Sequence, residues 1–297
     1  MQLAYQLWDV FTKKAFAGNP LAVVPNAVKL TDAQMQGIAK EFNLSETSFL
    51  FPSKNADAKA RYFTPTRELP MAGHPSVGSV YALHQLGEIT DEVMVTLELK
   101  AGVTRMGLER SGDKLKRVWM NQGTPELVKT CGDAALFAEA LGLEKGDFAD
   151  LPAQIVSAGN PFLMIPVTSL DALADIKLNL PALERALDGQ ESVGVFVFTN
   201  EVRGVDVRCR MFGAAVGVSE DPATGSAHGP LGWYLAEHSQ LRLSEGRASF
   251  ISHQGVEMGR PSEILVSLEQ VANNGEEGVG VYVGGSAVLV GEGALYL

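Results

Sequence analysis

Two stretches of this chain, Pro75–Leu86 and Ser226–Glu237, are patterned as helices yet are apolar almost all the way round. A helix with no polar face has to be enclosed on every side. The rest of the chain must therefore supply walls, and most of it reads as short strands. Leu21–Pro25, Ser48–Pro52, Val93–Glu98, Gly194–Thr199 and Gly278–Val290 are apolar or alternating runs set off by turn residues. Ordinary helices are fewer. Thr31–Phe42 opens with a capping box in which Thr31 caps and Gln34 reaches back. Asp133–Leu143 and Pro181–Leu187 carry helical apolar spacing.

The landmarks recur. Gly18-Asn19-Pro20-Leu21 returns as Gly159-Asn160-Pro161-Phe162, Phe49-Leu50-Phe51 as Phe196-Val197-Phe198, and Arg61-Tyr62-Phe63 as Arg210-Met211-Phe212. Gly73-His74-Pro75-Ser76 before the first apolar helix faces Ala223-Thr224-Gly225-Ser226 before the second. Order is kept and the spacing drifts by only a few residues, which chance matches would not do. The chain reads as two copies of one strand-rich unit around a buried helix, broken near Gln122-Gly123-Thr124-Pro125. Its 297 residues suit two such units.

Composition removes several functions. Lys+Arg 24 against Asp+Glu 35 leaves a net charge of −11, which argues against nucleic acid or an anionic membrane as partner. The uncharged runs Leu69–Gly87 and Leu151–Leu170 approach membrane-spanning length but are interrupted by prolines and by His74 or Asn160. The opening MQLAYQLWDVFTKK has Asp9 inside its apolar stretch and no basic residue before it, so no signal peptide is expected and a cytoplasmic location follows. Two cysteines, Cys131 and Cys209, make neither a disulfide framework nor a closed thiolate zinc site and read as structural thiols.

The loops before the two apolar helices are the candidate chemistry. Each ends at a helix N-terminus, where free N–H groups and the dipole favour an anion, and clefts between repeats are favoured ligand sites. The loops carry His74 in one copy and Asp221, Thr224 and Ser226 in the other, polar residues that an apolar helix does not need. Singly each has an ordinary explanation: a solvated or capping histidine, a turn-opening aspartate, N-capping hydroxyls. Their equivalent places in the two copies favour a site. A proton-transfer site also needs a base. Glu46 stands between the end of the first helix and an apolar strand, where desolvation raises a carboxyl pKa toward neutrality. Its counterpart in the second copy is Val193, with Glu191 two residues away, so the carboxylate belongs to one copy. No histidine spacing suits a metal, and no phosphate-binding glycine loop or nucleophile elbow occurs.

These residues resemble the PhzF-type phenazine-biosynthesis-like proteins, relatives of diaminopimelate epimerase. The matching segments are Val10-Phe11-Thr12, Phe16 through Val24, Ser45-Glu46-Thr47-Ser48-Phe49, Arg61-Tyr62-Phe63-Thr64-Pro65 and Gly73-His74-Pro75. They continue through Met211-Phe212, Glu220 through Ala227, Gln254-Gly255 and Met258 through Ser262. The resemblance implies an α+β fold of two pseudo-symmetric domains, each a curled, mostly antiparallel sheet or barrel around a central helix. The domains would be 1–121, completed by a last strand at 286–297, and 122–285. It further implies a homodimer and a cofactor-free, metal-free isomerase that moves a proton between carbons of a small carboxylate. In the phenazine-pathway member that substrate is trans-2,3-dihydro-3-hydroxyanthranilate. By motif match Glu46 is the general acid/base, with His74 and Asp221 catalytic and Gly73, Thr224, Gly225 and Ser226 binding substrate. The epimerase relatives use a thiol in each loop, whereas Ala72-Gly73-His74 and Asp221-Pro222-Ala223 contain none. Two alternatives stay open: a racemase using Glu46 and Asp221 as two bases, and a small-carboxylate-binding protein without turnover.

Overall fold

The computed structural model describes the chain except residues 91, 188–193, 202–205, 214–217 and 274–275, and the side chains of 218, 272, 273, 276 and 277. Val193 and Glu191, the sequence counterparts of Glu46, lie outside the described residues. The fold is α+β. The chain divides into two compact units: residues 1–121 with 260–262 and 284–297, and residues 122–259 with 263–283.

The first unit opens with β1 (Gln2–Val10), β2 (Asn19–Val24), α1 (Asp32–Phe42), β3 (Glu46–Phe51), β4 (Ala58–Phe63) and β5 (Glu68–Leu69). Then follow α2 (Gly73–Gln85), β6 (Met94–Leu99), β7 (Gly102–Ser111) and β8 (Lys114–Asn121). The C-terminal strand Ala287–Tyr296 pairs antiparallel with β1, and β1 pairs antiparallel with β2. β2 and β3 are parallel, β3 and β4 antiparallel, β4 and β6 parallel, and β6, β7 and β8 antiparallel in succession. α2 touches β1, β2, β3, β4, β8 and the C-terminal strand, and every residue from Gly73 to Leu83 is buried. α1 lays Met35, Ile38 and Ala39 against Val24, Phe49 and Phe63. β2 and β3, packed by helices, are buried almost continuously rather than alternately.

In the second unit β9 (Glu126–Asp133), β10 (Pro152–Ser157) and β11 (Pro161–Pro166) pair antiparallel in order, and β11 is parallel to β12 (Gly194–Thr199). β12 pairs antiparallel with β13 (Val207–Gly213), which meets β14 (Val218–Asp221) antiparallel and β15 (Arg247–Gln254) in parallel. This is the same succession of pairings as in the first unit. Short helices α3 (Ala138–Leu141), α4 (Leu170–Ala174) and α5 (Leu180–Ala186) pack one core with Ile155, Leu163, Val195 and Phe212. α6 (Gly225–Glu237) packs on β10 and β11 with Ala227, His228, Leu231, Tyr234 and Leu235 buried. β16 (Ser262–Asn273) and β17 (Glu276–Gly285) precede the C-terminal strand, β18.

The capping box forms: Thr31 accepts from the Gln34 N–H and the Gln34 side chain accepts from the Thr31 N–H. Three sequence readings change. Gly278–Val290 is two strands, divided at Ser286, whose backbone accepts from Thr12 and whose hydroxyl donates to Lys116. Asp133–Leu143 is a 3₁₀ turn (Ala134–Phe137) capped by Asp133, then one α turn stopped by Gly142 at φ +66°. The two central helices begin at Gly73 and Gly225 rather than at Pro75 and Ser226. Among the described residues no helix is long and apolar enough to cross a membrane.

Candidate functional site

In the first unit, α1 ends with Asn43 in the left-handed region at φ 50°, which turns the chain directly into β3. Glu46 is the first residue of β3 and lies opposite Leu21 of the parallel strand β2. Asn19 is the first residue of β2, so Asn19 and Glu46 sit at the same ends of neighbouring strands. His74 is the second residue of α2. The His74 Nδ1 lies 3.3 Å from the Asn19 amide nitrogen, and its Nε2 lies 3.5 Å from Glu46 Oε2. Asn19 is 0% and His74 4% exposed.

Burial pushes the His74 imidazole down to about 3, so the ring is neutral near pH 7. Its contact with Glu46 is therefore that of a neutral imidazole with a carboxyl, not an ion pair. A neutral ring carries one N–H. With the Asn19 amide donating to Nδ1, as the network assigns it, that proton sits on Nε2 and faces Glu46. Asn19 thus sets the tautomer of the group beside the carboxylate.

The loop delivering Asn19 is pinned from far along the chain. Gly18 has φ +69°, and a Cβ there would meet the Val10 carbonyl oxygen. Arg260 donates through Nε to the Gly18 carbonyl at 2.8 Å and through Nη2 to the Ala17 carbonyl at 2.9 Å and Asp9 Oδ1 at 2.6 Å. The Gly18 N–H donates to the Pro261 carbonyl.

In the second unit, Asp221 closes β14 and Thr224 occupies the N-cap of α6, with Gly225 and Ser226 opening the helix. The Thr224 hydroxyl makes no capping bond; it donates to Asp221 Oδ2 at 2.6 Å. Gln254, fully buried, ties the loop: its amide nitrogen donates to the Asp221 carbonyl and to Thr224 Oγ1, and its oxygen accepts from the Thr224 N–H. Gln122 donates to the Gly225 carbonyl. His228 donates from Nδ1 to the Thr224 carbonyl, which leaves Nε2 to accept from Ser252. Burial lowers His228 to about 4 and raises the Cys209 thiol to about 12, so both are neutral and the thiol is inert. Asp221 and Thr224 are buried and Ser226 half-buried.

Glu46, His74 and Gly73 thus fall together in the first unit, and Asp221, Thr224, Gly225 and Ser226 in the second. The Thr224 hydroxyl has its proton committed to Asp221, so its visible role is to hold the loop. Sequence reasoning missed Asn19, Gln254 and Arg260 as site residues. Asn19 had a signal in the Gly-Asn-Pro triplet repeated at Gly159-Asn160-Pro161; for the other two only motif segments pointed the way. Among the described residues no group of His, Cys, Asp or Glu is arranged to hold a metal ion.

A family model described as phenazine biosynthesis-like protein matches residues 8–293. The chain belongs to that family. Trans-2,3-dihydro-3-hydroxyanthranilate isomerase of Pseudomonas fluorescens is 37% identical, over 99% of this chain and 99% of the relative. An uncharacterized isomerase of Clostridium acetobutylicum is 36% identical over 99% and 97% of the two chains. The crystal structure of a Bacillus anthracis phenazine biosynthesis protein of the PhzF family covers 100% of both chains at TM-score 0.90 and 29% identity. With these relatives, this phenazine biosynthesis-like protein is an isomerase.

Proposed function

We propose that the protein is a cofactor-independent isomerase that moves a proton between carbons of a small cyclic carboxylate of the dihydrohydroxyanthranilate class, with Glu46 as general acid and base. The observation that carries this reading is the grouping of Glu46, a neutral His74 and Asn19 in the first unit. The substrate class comes from the relatives named for it.

The Glu46 carboxylate takes a proton from one carbon, the electron pair enters the adjoining double-bond system, and the resulting carboxylic acid returns a proton to another carbon. Composition and oxidation state do not change, so the step needs an acid/base and no redox partner. The His74 Nε2–H supports the ionised Glu46 before abstraction and after return. Because His74 is held neutral, it does not neutralise the base by protonating it. In the second unit the first N–H groups of α6, at Gly225 and Ser226, suit the substrate carboxylate. Asp221, held by Thr224 and Gln254, positions the substrate in this reading, and Gly73 offers the equivalent N–H in α2.

The test is turnover in deuterated water followed by NMR. Wild type should relocate a double bond and place one deuteron on carbon. Glu46→Gln should lose about 10²–10⁴-fold in kcat while KM stays within a few-fold. A substrate epimerised without bond relocation would move the protein to the racemase class. Undiminished turnover in Glu46→Gln would remove Glu46 from the mechanism.

A further inference from the structure

We infer that the first unit carries an anion site for an organic phosphate, separate from Glu46 and His74, in a surface cavity of about 510 Å³ lined by Lys13, Lys114, Lys116, Arg117, Tyr81 and Ser286. Among the described residues no acidic side chain lines it, and the nearby carboxylate of Glu109 is held by Arg117. On a chain with net charge −11, this gathering of cations is not a by-product of a generally basic surface.

A break in strand register builds the cavity. Along a regular strand, successive side chains face opposite sides. Here Arg117 pairs with Glu109 and Leu115 with Arg110, so Lys116 is an extra residue, a β-bulge in β8. Bulges re-aim side chains, which lets four consecutive residues, Lys114 to Arg117, line one cavity. The bulge is fastened: the Lys116 carbonyl accepts from the Ser286 hydroxyl. Arg117 is oriented by Nη1, which donates to both Glu109 oxygens at 2.9 Å.

The second observation comes from α2. Tyr81 is 6% exposed, and its hydroxyl lies beside Ser286 and the Ala287 backbone without closing a full hydrogen bond to either. Burial pushes that hydroxyl up to about 12, so it stays an O–H donor at neutral pH. An acceptor oxygen in the cavity would give this buried O–H a well-placed partner for its proton. Several point charges and a neutral donor suit a dianion with three acceptor oxygens better than a single carboxylate. Leu115 and Val288 give the cavity an apolar side for the organic part. Tyr81 lies seven residues beyond His74 on the same helix, two turns on and roughly 10 Å along the axis, so the two places are distinct.

Calorimetric titration of the full chain with phenyl phosphate and, separately, inorganic phosphate at low salt tests this. Phenyl phosphate should bind saturably. The Lys114→Ala/Lys116→Ala double variant should weaken it by about tenfold or more, and Tyr81→Phe by several-fold, with Glu46→Gln unchanged. Tighter binding of phenyl phosphate than of phosphate supports an organic phosphate; equal affinities reassign the site to the free anion. No saturation by about 10 mM, wild-type affinity in the double lysine variant, or loss of binding in Glu46→Gln overturns the inference.

Discussion

Removing the Arg260 guanidinium tests how the Glu46–His74 grouping is held. Arg260 bonds Asp9 and the carbonyls of Ala17 and Gly18, and the second Asp9 oxygen accepts from the Phe16 N–H at 2.6 Å. Asp9 is 2% exposed, so Arg260→Ala leaves a buried carboxylate without its counter-charge. Breaking one side of such a pair costs about 3–5 kcal/mol. The Arg260 side chain is 28% exposed, so water reaches the vacated space and the low end, about 3 kcal/mol, applies. With a urea dependence of about 3 kcal/mol per molar, the unfolding midpoint should fall by about 1 M. Asp9→Ala alone should also destabilise, and the double variant should cost less than the two singles together by more than about 1 kcal/mol. The same loop leads into Asn19, which sets the His74 tautomer. Arg260→Ala should therefore lower kcat more than it raises KM, and Arg260→Lys should restore part of the kcat. Additivity of the two alanine variants within about 0.5 kcal/mol, or an unchanged midpoint, would refute the pinning role.

Stability should depend on pH through the two buried histidines. His74 and His228 are lowered by burial to about 3 and about 4, while both titrate near 6.5 when unfolded, so below that pH the unfolded chain binds protons the folded chain refuses. Folding free energy measured by urea titration should hold above pH 7. It should then fall from about pH 6.5 to 4, with His74 and His228 together contributing up to about 2.7 kcal/mol per unit, and His228→Gln should remove about half of that contribution. Gln254→Leu leaves the Thr224 N–H and the Asp221 carbonyl without their partner and should cost about 3 kcal/mol by denaturation while raising KM. A Cβ on Gly78 would run into Leu21 and Val10 side chains, so Gly78→Val should destabilise the first unit by about 1–3 kcal/mol or more, read from its melting transition.

What the sequence determined by itself was whatever a few neighbouring residues can settle. The Thr31–Gln34 capping box is decided within one turn, and the burial of the two apolar helices follows from their having no face to show water. The repeat of landmarks was legible because each unit spends the same turn residues at the same points in its chain. The tertiary structure decided which distant groups meet. Asn19 reaches His74 across 55 residues, and Gln254 reaches Asp221 across 33. The packing of α2 against β2 sets the first contact, and the pairing of β14 and β15 with β13 sets the second, where a one-residue slip would turn the side chain to the opposite face. The division of Gly278–Val290 at Ser286 and the bulge at Lys116 were equally invisible, since apolar alternation says which face a residue prefers but not which strand it will pair with. Burial is also a property of the assembled unit. The same imidazole that would titrate near neutrality in an isolated loop is held neutral far below it once α2 is enclosed, and that turns His74 from an ordinary charged side chain into a fixed donor beside Glu46.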